Sequence, residues 1–154
     1  MLARPRHDGP RWSGPSERQA FARARSADEV RELCERMCRV LVLGVLPALL
    51  ERDCDTFGEA LHEYNRFAGR MFAADQGGDY ASPETEQLVR ATRALGAAGT
   101  GQSSWGPTVF AVCANPEAAD KVSGGLREQF PDLDMTITTA NNTGAEVRAT
   151  DEHG

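Results

Sequence analysis

The chain has 154 residues, a length that fits one domain with a sizeable core. Its 17 basic and 23 acidic residues give a net charge of −6, which argues against a nucleic-acid face, because gripping a phosphate backbone needs clustered positive charge. The longest apolar run, V-L-V-L-G-V-L-P-A-L-L from Val40 to Leu50, is far below the ~20 residues of a membrane span. The opening M-L-A-R-P-R-H-D-G-P has no apolar stretch of the kind a secretory signal carries. The expectation is therefore a cytoplasmic protein with no membrane partner, whose cysteines, Cys34, Cys38, Cys54 and Cys113, are free thiols. Cys34 and Cys38 share one face of a helix, but His7, His62 and His153 are scattered, so small core thiols are expected rather than a metal site.

Residues 1–14 are rich in Pro, Gly and Arg and cannot form a regular helix; they read as an entering loop or the remnant of a strand. Residues 15–150 read as the domain proper. Pro15-Ser16-Glu17 opens a short helix, with Pro early in the first turn. A longer one starts at Ser26-Ala27-Asp28-Glu29, with Val30, Leu33, Met37, Leu41 and Val45 at helical spacing; Gly44 and Pro47 should bend or split it. Asp55 is expected to cap a helix from Thr56 to Ala74 whose apolar set is Phe57, Leu61, Tyr64, Ala68 and Met71 or Phe72. D-Q-G-G-D-Y-A-S-P ends it as a loop, and Ser82-Pro83-Glu84 starts another helix that runs to about Leu95.

Thr108 to Cys113 reads as a buried strand, Pro116 to Gln129 as a helix capped by Asn115, and Asp134 to Thr139 as a second strand. Gly144 to Thr150 is a weak candidate for an edge strand. Helices followed by strand–helix–strand make an α+β domain, with the helices packed on one face of a small antiparallel sheet.

Between the helix that ends near Leu95 and the strand from Thr108 lies G-T-G-Q-S-S-W-G-P, residues 99–107. Gly99 and Gly101 permit positive φ and close backbone approach to a ligand. Successive N–H groups in such a turn form an anion-binding concavity, and the side chains of Gln102, Ser103 and Ser104 add donors. Trp105 offers an apolar wall and one N–H. There is no P-loop lysine. The same residues would also serve as a tight connection with its tryptophan plugging the core.

G-T-G-Q-S-S-W-G-P-T-V-F-A resembles the C-terminal signature of the beta-ribofuranosylaminobenzene 5'-phosphate synthases, members of the GHMP kinase superfamily. Two further stretches are similar to that family: Q-G-G-D-Y-A-S-P from Gln76 to Pro83, and P-R-H-D-G-P-R-W-S-G-P-S-E-R-Q-A-F from Pro5 to Phe21. The resemblance runs from about residue 4 to residue 140. It implies the C-terminal half of such a synthase, without the family's N-terminal domain and its P-x-x-x-G-L-G-S-G phosphate loop, which this sequence lacks.

The reaction so implied joins phosphoribosyl pyrophosphate to a 4-substituted benzoate and releases pyrophosphate and carbon dioxide, a step toward methanopterin. The resemblance puts Gly99, Gly101, Gln102, Ser103 and Ser104 at the ligand, with Trp105 as wall or brace. Gln76, Gly77 and Gly78 either approach the same pocket or form a simple turn between helices. Arg6 and Arg11 are candidates for phosphate or carboxylate contacts, set against a solvated basic loop. His7 is an acid–base candidate or an exposed loop residue, Asp8 and Asp79 are equally turn residues, and Glu17 and Glu63 lie on helices expected near the site. No catalytic residue is assigned.

Mg2+ is expected only as a companion of the diphosphate. The chain is expected to form a homo-oligomer, to be inactive alone, and to need an N-terminal half supplied by another chain. The competing readings are a fragment of an ATP-dependent small-molecule kinase of the same superfamily, a non-catalytic dimerisation module and a truncated gene.

Overall fold

The computed structural model describes residues 1–5, 15–24 and 28–145. Four strands, β1 (Leu2–Pro5), β2 (Gly99–Gln102), β3 (Val109–Val112) and β4 (Leu133–Thr136), form one sheet in the order β2-β3-β1-β4. Every neighbouring pair is antiparallel. The expected strand remnant at the start is thus a central strand: Ala3 lies opposite both Val109 and Met135. Arg6, His7, Asp8 and Arg11 lie outside the described residues, as do Ser26, Ala27 and residues 146–150 of the weak edge-strand candidate. Residues 140–145 carry no strand.

The helices are α1 (Pro15–Ala24), α2 (Asp28–Val40), α3 (Leu46–Glu51), α4 (Cys54–Arg70), α5 (Ala73–Gln76), α6 (Pro83–Ala94) and α7 (Pro116–Gln129). Helix α6 starts where Ser82 Oγ accepts the Thr85 N–H at 3.2 Å, and α7 where Asn115 Oδ1 accepts the Ala118 N–H at 2.8 Å. Both have Pro in the first turn, where its missing N–H leaves no bond unmade. The cap of α4 is Asp53, not Asp55: its carboxylate accepts from the Thr56 N–H at 3.0 Å and the Thr56 hydroxyl at 2.6 Å. The preceding Arg52 is left-handed (φ 59°), and that reversal places Asp53 at the helix mouth. The single helix expected to reach Ala74 ends at Arg70 and resumes as α5.

The split expected from Gly44 and Pro47 takes the form of a π turn, Leu41–Val45, in which the Leu46 N–H bonds the Leu41 carbonyl. In an α-helix the Pro47 ring would collide with the carbonyl four residues back, and one wider turn relieves that clash. Gly44 faces α4, where an added Cβ would stand 3.0 Å from the Ala60 Cβ.

One face of the sheet carries the core. Ala3 and Val109 pack with Leu88 and Val89 of α6 and with Val122 and Leu126 of α7, all nearly inaccessible to solvent. On the opposite face Leu2, Arg4, Asp134 and Thr136 are exposed. Helix α4 lies along the free edge of β2, and its approach is close. A Cβ at Gly58 would overlap the Ala98 carbonyl, one at Gly99 the Gly58 backbone, and one at Gly101 the Asn65 amide.

The segment 99–102 is therefore a fully buried strand rather than a loop. The positive φ angles fall further on, at Ser104 (53°) and Gly106 (68°). No helix among the described residues is long and apolar enough to cross a membrane.

Two glycine substitutions test this packing in opposite directions. Gly58→Ala should destabilise the fold by about 3 kcal/mol, the upper end for forced overpacking. Gly124→Ala, on α7 where nothing lies within 4 Å of an added Cβ, should stabilise by about 0.5–1 kcal/mol. Denaturant midpoints at constant slope check both.

Candidate functional site

A cavity of ≈ 190 Å³ opens beside the end of β2, between α1, the C-terminal turns of α4, and α5. Its walls are aromatic. The Phe72 and Trp105 ring centroids are 4.5 Å apart, and Phe21 stands edge-on to each at 5.2 and 6.1 Å. These are favourable offset and edge-to-face arrangements. The remaining lining comes from Asn65, Ala68 and Gly69 of α4, with Gln76, Asp79, Gln102 and Ser104.

Two contacts fasten α1 over the opening. The Trp105 indole N–H donates to Glu17 Oε1 at 3.0 Å, and Arg23 pairs with Asp75. The indole is thus half-buried with its one donor satisfied.

Gln102 is the brace of the site. Its backbone N–H donates to Asn65 Oδ1 at 2.8 Å, and its carbonyl accepts from Asn65 Nδ2 at 2.8 Å. The Asn65 amide therefore takes the place of a neighbouring strand along the edge of β2. The Gln102 side chain accepts from the Ala81 N–H at 2.6 Å and donates to the Ser104 carbonyl at 2.9 Å. It ties the turn after β2 to the loop before α6.

The Ser103 N–H bonds the Thr108 carbonyl at 2.8 Å and the Gly106 N–H bonds the Ser103 carbonyl at 2.9 Å. The expected anion cradle made from the amides of this turn is thus not what Gln102 and Ser103 present: internal acceptors take both N–H groups. The close backbone approach expected at Gly99 and Gly101 is present, but it is made to α4, not to a ligand.

The other sequence-derived candidates sort by place. Gln76 lines the cavity, and its side-chain amide donates to the carbonyls of Gly69 (3.0 Å) and Gly78 (2.9 Å). Gly77 closes α5 in the left-handed conformation, φ 86°. Ser103 is exposed, and Ser104 reaches the cavity. Asp79 is no mere turn residue: Arg66 and Arg70 of α4 each direct two N–H groups at its carboxylate, at 3.1–3.2 Å. Gly69 makes this possible, since any side chain there would strike the Asp79 carbonyl. Glu63 lines an adjacent open cleft with His62, Arg66 and Arg93.

Four residues of this region were not picked out as site residues in the sequence: Phe21, Asn65, Phe72 and His62. The signal that finds Asn65 and His62 is their i, i+3 spacing on one helix face, opposite a strand of alternating glycines. His62 Nδ1 lies 2.8 Å from the Thr100 carbonyl. A carbonyl only accepts, so this nitrogen carries the proton and Nε2 is left as an acceptor in the neutral ring. Burial pushes the imidazole below its ordinary value near 6.5, against the opposing pull of the Thr100 bond. Burial also raises the thiols of Cys54 and Cys113 and the Tyr80 phenol, so none of the three is primed to ionise.

A four-stranded antiparallel sheet with α6 and α7 on one face, and a glycine strand sealed by a helix at its edge, defines an α+β domain. Residues 45–132, more than half of the chain, match the family model "GHMP kinases C terminal", and the chain belongs to that family. It is 27% identical over 111 residues to the beta-ribofuranosylphenol 5'-phosphate synthase of Methanothermobacter thermautotrophicus, covering 72% of this chain and 32% of the relative.

The synthase of the same name from Archaeoglobus fulgidus is 29% identical over 124 residues, covering 78% and 35%. The 4-diphosphocytidyl-2-C-methyl-D-erythritol kinase of Gloeothece citriformis is 28% identical over 138 residues, covering 88% and 40%. The chain thus spans about a third of the length of the synthases it matches. Those synthases are named for a phenol product, where the sequence resemblance pointed to the aminobenzene.

Asn65→Ala leaves the buried Gln102 backbone without its partners and should cost about 1–3 kcal/mol, with faster amide hydrogen exchange at Gln102. For His62, the native state holds fewer protons than the unfolded state between its lowered pKa and 6.5, so stability rises with pH through that window. The His62 contribution should be complete above about pH 6.5 and fade as the pH falls toward its native pKa. His62→Gln should flatten the stability profile over that interval, measured as the difference between variant and wild-type urea midpoints.

Proposed function

We propose that this chain is the acceptor-binding, C-terminal part of a synthase that attaches a phosphoribosyl group to a benzoate-type ring, and that the aromatic cavity holds that ring. The cavity itself carries the reading. At ≈ 190 Å³ it is of the size that accepts one six-membered ring, since an apolar cavity of roughly 150 Å³ takes up benzene. Phe72 and Trp105 offer the faces, Phe21 an edge, and Asn65, Gln76, Gln102 and Ser104 the polar lining, beside an Asp79 carboxylate held by Arg66 and Arg70.

In the reaction the anomeric carbon forms a bond to the ring, the bond to the carboxyl carbon breaks to release carbon dioxide, and pyrophosphate leaves. The chain's part is to orient the ring and exclude water from its face. With the Gln102 and Ser103 amides already bonded, the main diphosphate cradle is assigned to the polypeptide that makes up the rest of the relatives' length, with Arg6 and Arg11 of this chain as candidate further contacts. We therefore assign this chain no turnover alone. Among the described residues no group of three or more His, Cys, Asp or Glu side chains is placed to hold a metal; Mg2+ would come and go with the diphosphate, and no step is routed through it.

The match to an erythritol kinase favours a second reading: an ATP-dependent small-molecule kinase domain. Trp105 separates the two. In a Trp12→Phe background it is the sole tryptophan, and its fluorescence should change saturably with 4-hydroxybenzoate or 4-aminobenzoate. Phe72→Ala should weaken that binding at least tenfold, about 1.4 kcal/mol. A saturable response to ATP with none to the benzoates would replace this reading with the kinase one, and silence toward all three would remove the small-molecule role.

A further inference from the structure

The helix made of the π turn and α3 is apolar on every side. Val45 and Ala48 are buried against the domain, as a core helix requires. Yet Leu41, Val42, Leu43, Leu46, Leu49 and Leu50 are exposed, Leu43 at 68% and Leu50 at 83%. A helix that is hydrophobic all round is normally covered all round, and a contiguous exposed apolar stripe marks an interaction surface. Leu46, Leu49 and Leu50 follow the i, i+3/i+4 spacing of one α3 face, and Val42 and Leu43 extend the exposed apolar surface through the π turn.

We propose that this stripe is a homodimer interface in which two copies pair their α3 helices antiparallel about a two-fold axis at Leu46. A two-fold interface must be self-complementary, because the same patch serves both chains. The stripe meets that demand. With Leu46 facing its own copy, Leu43 lies opposite the partner copy's Leu49, and Val42 opposite its Leu50. The ends match in charge as well.

Arg39, exposed one turn before the stripe, comes to the far end of the other copy's helix. There Glu51 and Asp53 flank Arg52, leaving a net negative charge, and the carbonyls of the helix C-terminus also favour a cation. A parallel pairing would instead set Arg39 against Arg39 and acid against acid. The partner is thus a second copy of this chain. The inference is independent of what the aromatic cavity binds.

Sedimentation velocity on the full chain at micromolar concentration tests it. The wild type should sediment with the mass of two chains. Leu46→Glu, which brings two carboxylates together on the axis, should shift it to monomer at least tenfold more readily, with an unchanged circular dichroism spectrum. Arg39→Glu should weaken the dimer, and Arg39→Glu combined with Glu51→Arg should restore it. Restoration by the double exchange is specific to the antiparallel pairing, because loss of fold or of apolar area would not reverse.

A monomeric wild type overturns the proposal and leaves the stripe to a different polypeptide. A dimer unaffected by Leu46→Glu overturns it by placing the interface elsewhere, such as the open edge of β4.

Discussion

The close approach of α4 to the edge strand β2 is the constraint on which the rest of the domain depends. Helix and strand backbones come together at Gly58 and Gly99, where no side chain fits between them, and Gly101 leaves the room that the Asn65 amide fills. That proximity brings the short side chains of His62 and Asn65 within hydrogen-bond reach of the Thr100 and Gln102 backbone. An edge strand ordinarily presents a row of unpaired N–H and C=O groups. Here α4 satisfies three of them with side chains and closes that edge. At the opposite edge, β4 pairs, among the described residues, with β1 alone.

The same constraint positions the cavity. Once Asn65 holds the end of β2, the Gln102 side chain is aimed at the loop that precedes α6, and its two bonds set how the 79–82 segment and the Ser103–Gly106 turn face each other. Gly69 repeats the device about three turns beyond Gly58 on α4, letting the Asp79 backbone settle on the helix. The aromatic walls then close from outside: Trp105 follows the turn, Phe72 sits where α4 gives way to α5, and Phe21 arrives on α1, held by Glu17 and Arg23. The polar residues of the Q-S-S-W-G-P segment act mainly on the protein itself, and the walls of the cavity beside them are aromatic.

Much of the fold was legible because its signals are local. Ser82-Pro83 and Asn115-Pro116 announce helix starts, since a short polar side chain accepts from the backbone three residues on and proline suits the first turn. The Thr108–Cys113 run reads as a strand by its length and β-branched content, and the segment before Pro5 reads as a strand remnant. The family likeness was legible for a similar reason, in contiguous signatures. Pro47 foretells a disturbed helix, though not the π turn that resolves it.

The cap at Asp53 went instead to Asp55, because two acids two residues apart look alike until the left-handed Arg52 decides which one faces the helix mouth. The strand at Gly99–Gln102 was read as a loop, since glycine normally weakens a strand.

By itself, then, the sequence determined the α+β class, most helix starts and the membership in the GHMP kinase family, because capping, periodicity and short motifs act over a few residues. Only the tertiary structure decided what the glycines are for. Whether an absent Cβ makes room for a ligand or for a helix depends on what lies across from it. Across from Gly99 and Gly101 lies α4, more than thirty residues earlier in the chain, at a distance no local pattern encodes.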